Sequence, residues 1–178
     1  KSLERNIKTI IKTGTGYGPE FLPVLRETKN ILKRINKGKP NAEHYFQLGT
    51  LCLELEDNQM ALDAFKTGYQ LNKNHLNCGT YSALLLEQQE KWSEALSIYK
   101  ELNSLDPENI HIAERMLLIF YTQKDIKNVL THCYYFLDRK LYYPSIYYYL
   151  SQIFYDCSDT EKAIEYLQNA LMLDNDNN

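Results

Sequence analysis

Residues 76–109 read LNCGTYSALLLEQQEKWSEALSIYKELNSLDPEN, and two apolar helical patterns meet inside this stretch at a short polar elbow, Gln89-Glu90-Lys91. After the elbow, Trp92, Ala95, Leu96, Tyr99, Leu102 and Leu105 follow i, i+3, i+4 spacing. That spacing gathers them on one side of a helix, and Pro107 ends the pattern. Sliding the sequence by 34 residues in either direction lays the pattern over itself. The chain therefore divides into four blocks, 42–75, 76–109, 110–143 and 144–177, each predicted to be a helix-turn-helix hairpin.

Columns can be read down the blocks. A small residue stands in the first helix at Gly49, Ala83 and Ser151, and another early in the second helix at Ala61, Ala95 and Ala163. Larger apolar residues recur at Cys52, Leu86, Phe120 and Phe154, and again at Phe65, Tyr99, Cys133 and Leu167. Helix axes that cross at about 8–10 Å need small side chains at the crossing, so Gly49 is expected to meet Ala61 while the larger columns fill the space between blocks. The third block departs from this pattern with Leu117, Val129 and Phe136, which predicts a wider helix crossing there. A single hairpin cannot bury its apolar face alone; stacked neighbours complete it.

This two-helix, 34-residue pattern resembles the tetratricopeptide repeat over 42–177, most specifically in Leu48-Gly49…Ala61…Phe65 and Ala95…Tyr99…Asp106-Pro107. The resemblance implies an all-α fold, a right-handed α-solenoid of helix-turn-helix (TPR-like) repeats. It also implies a non-enzymatic scaffold or adaptor that holds a peptide or helix of a partner in a concave groove built by the first helix of each block. Periodicity places Phe46 and Thr50 of the first block on that face, then Tyr81 and Leu84 of the second. The third contributes Arg115, Leu118 and Tyr121, and the fourth Tyr148, Tyr149 and Gln152. Aromatic anchors with polar rims are what binding surfaces use. One family subtype clamps a heat-shock chaperone's terminal carboxylate with Lys, Asn and Arg. Of the corresponding positions here, Phe46, Thr50, Tyr81, His111 and Arg115, only Arg115 fits, which argues against that cargo.

Outside the blocks, residues 3–12 can form a short helix, Gly14 to Gly18 reads as a flexible connector, and a second helix runs from Pro19 to about Asn36. This 1–40 segment is expected to pack as a basic helical extension on the first repeat. Charge is uneven: +7 over residues 1–40 against −10 over 41–178. A basic arm attracts phosphate, but only Tyr17 and Phe21 are interleaved with its charges, which argues against nucleic acid as a partner. No apolar run approaches the roughly 18 residues of a membrane span. The Tyr142–Tyr149 stretch YYPSIYYY starts a helix at Pro144, so its last three tyrosines point around the helix and at least one faces outward.

Cys52, Cys78, Cys133 and Cys157 fall in predicted helices without paired spacing and read as buried free thiols, favouring a reducing, cytoplasmic compartment. His75 with Cys78, and His132 with Cys133, lack the companions a metal centre needs. No catalytic or nucleotide signature is present, so the reading is no enzyme, no metal and no cofactor. Residues 174–178 lie where a fifth block would begin, leaving Ile164, Leu167 and Leu171 without a following helix. The expectation is a chain that continues or an end that pairs with another copy. A structural, self-associating segment of a larger assembly and a regulatory part of a longer protein are the rival readings.

Overall fold

The structure, a computed structural model, describes residues 18–38 and 40–175. The helix expected over 3–12 and the run Gly14 to Tyr17 lie outside them. Among the described residues there are nine α-helices and no strand. They are α1 (Leu22–Lys37), α2 (Ala42–Glu54), α3 (Asn58–Leu71), α4 (Leu76–Gln88), α5 (Trp92–Leu105), α6 (Ile110–Thr122), α7 (Ile126–Asp138), α8 (Pro144–Asp156) and α9 (Thr160–Asn175). A single 3₁₀ turn, Pro19–Phe21, leads into α1.

The repeat is written into the helix ends. Asn41, His75 and Asn109, spaced by 34, cap α2, α4 and α6 by accepting from the backbone N–H three residues on. Asp57, Asp125 and Asp159 cap α3, α7 and α9 in the same way. Such caps satisfy donors that the helix leaves orphaned. Each first helix also closes with a residue in the left-handed region, at Glu56, Glu90, Lys124 and Ser158, with φ between 57° and 63°. The following N–H then donates five residues back, as from Asp57 to the Cys52 carbonyl at 2.9 Å and from Asp125 to Phe120 at 2.8 Å. This is a Schellman closure repeated at one step, and none of its left-handed residues is a glycine.

Two compact units divide the chain at Ile98 and Tyr99. In the first unit, α2 packs on α3, α3 on α4, and α1 lies against α2 through buried Thr28, Ile31, Leu32 and Ile35. Phe65 fills the centre, and the nearest atoms to a Cβ added at Gly49 are those of its ring. The crossing glycine thus receives Phe65 directly, where Ala61 was the expected neighbour. Gly68 is a second close approach, with Cys78 Sγ, the Ala42 carbonyl and the Tyr45 Cβ crowding the place a Cβ would take. α1 stands 34 residues before α3 and ends in register with it, at Lys37 against Leu71, so it covers α2 as a second helix of a preceding block would. Its outer side is polar, carrying Arg26, Lys29, Lys33 and Lys37.

In the second unit, α6 packs on α7, α7 on α8 and α8 on α9. α6 and α7 run close together over less of their length than α8 and α9 do, and Leu117, Val129 and Phe136 are all buried in that block. Bulkier side chains at the crossing hold the axes apart. α7 also ends early: Lys140 turns left-handed at φ 60° and Leu141 N–H donates back to Phe136. The last helix leaves Ile164, Leu167, Leu171 and Met172 exposed at 51, 42, 55 and 64%.

Candidate functional site

The first helices of the hairpins carry the expected binding face, and each unit presents its own part. In the first unit, α2 and α4 bring Phe46 and Tyr81 to 5.8 Å between ring centroids, with Phe65 stacked 5.0 Å from Tyr81. His75 joins them 5.6 Å from Phe46. Its Nδ1 accepts from the Cys78 N–H, so in the neutral ring Nε2 carries the proton and faces Glu43 Oε2 at 3.3 Å. Phe46 is therefore half-buried within a four-ring cluster, while Tyr81 keeps 37% exposure. Thr50 turns its hydroxyl onto its own helix, donating to the Gln47 carbonyl at 2.8 Å. Leu84 is half-buried on α4.

In the second unit, α6 and α8 bring Tyr121 and Tyr149 to 5.8 Å, with Tyr148 edge-on to Tyr149 at 5.9 Å. The Tyr121 hydroxyl donates to Asp156 Oδ2 at 3.2 Å. Burial, then that carboxylate, push the Tyr121 phenol up; burial pushes Tyr149 up, with Glu114 and Tyr148 adding and the Arg115 charge opposing. The Tyr121 and Tyr149 phenols stay neutral donors at physiological pH. Arg115, Leu118 and Gln152 are half-buried, and Tyr148 is the outward ring among the last three tyrosines of the YYPSIYYY stretch, at 50% exposure.

Sequence reasoning placed these residues on one helix side but missed His75. It stands just before α4 as its cap, and helical periodicity does not speak for cap positions. Its signal was the 34-residue column of caps at Asn41, His75 and Asn109. Of the four cysteines, Cys52, Cys78 and Cys133 are buried, and burial above all pushes each thiol up to about 12. Cys157 departs from expectation: it is the residue closing α8 and is exposed. Among the described residues, no group of three or more His, Cys, Asp or Glu could hold a metal ion, and no helix is long and apolar enough to cross a membrane.

The arrangement is a repeat scaffold with aromatic faces, and comparison with known proteins matches two of its blocks to a family. The tetratricopeptide repeat model matches residues 42–75 and 144–177, and these two blocks are tetratricopeptide repeats. A crystal structure of MamA superposes with a TM-score of 0.73 at 11% identity, covering 84% of this chain and 88% of that one. MamA 41-end from Desulfovibrio magneticus RS-1 gives 0.70 at 14%, covering 99 and 97%. At such identities the likeness shows the fold, a TPR-like α-solenoid. In sequence, the chain is 28% identical over 93 residues to the cilia- and flagella-associated protein 70 of Homo sapiens, a match spanning 50% of this chain and 8% of that protein. The fold is that of a scaffold for protein–protein interaction.

Proposed function

We propose that this chain is an adaptor whose first-helix faces grip a peptide or helix of a partner protein, with no chemistry of its own. In this reading residues 1–40 are an extension packed on the first of four repeats spanning 42–177. The observation that carries it is the pairing of half-sealed aromatic clusters with single outward rings, Tyr81 beside Phe46 and Tyr148 beside Tyr149. A ring held by its neighbours loses little freedom on binding, so its burial by a partner converts efficiently into affinity. Phe46, Thr50, Tyr81 and Leu84 form the contact face of the first unit, and Arg115, Leu118, Tyr121, Tyr148, Tyr149 and Gln152 that of the second. Arg115 among tyrosines suits a carboxylate, which it can hold bidentately. Three thiols kept neutral and covered fit a reducing, cytoplasmic setting.

A second reading rests on a different observation, the uncovered side of α9. Ile164, Leu167 and Leu171 would then join copies or subunits of an assembly. The double substitution Tyr81→Ala with Arg115→Ala separates the two. Under the first reading it abolishes capture of partner in an affinity pull-down and leaves sedimentation unchanged. Loss of capture with Leu167→Gln and Leu171→Gln instead, the tyrosine variant binding normally, overturns it.

A further inference from the structure

We propose that a cleft on the second helices of the hairpins, beside Asn103, is a receptor slot for a tyrosine side chain of a partner segment. The cleft has a volume of about 110 Å³ and is bounded by Asn103, Pro107, Thr131, His132, Tyr135 and Phe136, all within the second unit. It lies on α5 and α7, away from the first-helix faces, and so is separate from the adaptor surface.

The repeat explains why the cleft exists. Position 103 stands 34 residues after Tyr69, which is buried to 3% exposure with the Lys73 ammonium 4.3 Å over its ring. Position 107 stands 34 after Lys73. The first block thus plugs this place with its own phenol ring and lays a lysine over it. The second block has a short amide and a proline there, and the space stays open.

What remains is shaped for the missing group. Phe136 is sealed and 5.5 Å edge-on to Tyr135. Tyr135 is held in place, since the Arg139 guanidinium lies 3.7 Å over its ring and reaches Glu108 at 4.0 Å. Thr131 spends its hydroxyl on the Lys127 carbonyl at 2.8 Å. His132 donates from Nδ1 to the Asn128 carbonyl at 2.9 Å, which leaves Nε2 of the neutral ring as an acceptor. Apolar and aromatic walls with one acceptor and one amide suit a ring that bears a single O–H donor. A dry cavity of about 150 Å³ takes benzene, so a smaller cleft open on one side admits a ring edge-first.

The test titrates the chain with N-acetyl-tyrosinamide and follows the His132 ring and Thr131 methyl signals by NMR. Saturable shifts confined to the cleft, weaker with N-acetyl-phenylalaninamide, are expected. Asn103→Tyr supplies the plug from within, so it removes those shifts and raises Tm by about 2–4 °C. Absence of shifts at the cleft, or shifts that persist in Asn103→Tyr, overturns the proposal. If Asn103→Tyr does not fold, His132→Phe decides: loss of the preference for the tyrosine probe supports the slot, and an unchanged preference refutes it.

Discussion

A Cβ added at Gly49 would stand 2.5–2.7 Å from the ring atoms of Phe65, a side chain with no exposed surface and nowhere to retreat. Gly49→Ala should cost about 1–3 kcal/mol by overpacking, read as a lower urea midpoint with unchanged slope, and Phe65→Leu should recover part of it. Sequence showed that this column is small, because side-chain size is visible in a string of letters. It did not show which ring enters, because spacing along one helix leaves the rotamer of its neighbour undetermined. The same gap explains the candidate face: Phe46 reads as a groove residue by period, yet its ring is largely spent on Phe65, His75 and Tyr81. Thiol reactivity follows burial just as directly. Cys157 alone among the four should be alkylated by iodoacetamide at pH 8, while Cys52, Cys78 and Cys133, raised to about 12, should label only on unfolding, as counted by mass spectrometry.

Between hairpin arms, the left-handed closures carry Glu, Glu, Lys and Ser where glycine would cost least. Glu90→Gly should therefore stabilise the chain by about 0.5–1 kcal/mol in chemical denaturation, the relief of a left-handed side chain outweighing glycine's extra freedom when unfolded. The acidic caps give the elements a pH signature. The Asn128 side chain and N–H donate to Asp125, and the Lys162 side chain and N–H to Asp159, so both carboxyls are held below their ordinary range. Their stabilisation is complete above the unfolded value of about 3.9 and is lost as pH falls through the depressed folded values. Melting temperature should drop below about pH 4, and less steeply in Asp125→Asn with Asp159→Asn. These ends were legible in principle, since Asp57, Asp125 and Asp159 recur at one step. Lys91 and Tyr143 interrupt the two cap columns, and attention to apolar positions passes over polar ones.

Across the molecule, the two ends of the repeat array differ. α1 covers α2 with an apolar side and turns a basic side outward, whereas among the described residues no helix covers the exposed side of α9. The all-α plan of helix-turn-helix repeats was readable, because periodicity survives without coordinates. That α1 keeps the register of a second helix was not, since Glu27 and Arg34 stand where Ala61 and Gly68 do and erase the small-residue column. In an array held by nearest neighbours, local opening is cheapest where a neighbour is missing. Backbone amides of α9 should then exchange with deuterium sooner than those of α3, with protection rising from α9 back through α8. Equal protection in α3 and α9 would contradict this.

The exposed apolar flank of α9 is thus the loose thread of the second unit. Heat, force or a protease that finds that thread should peel α9 from α8 before it parts α6 from α7.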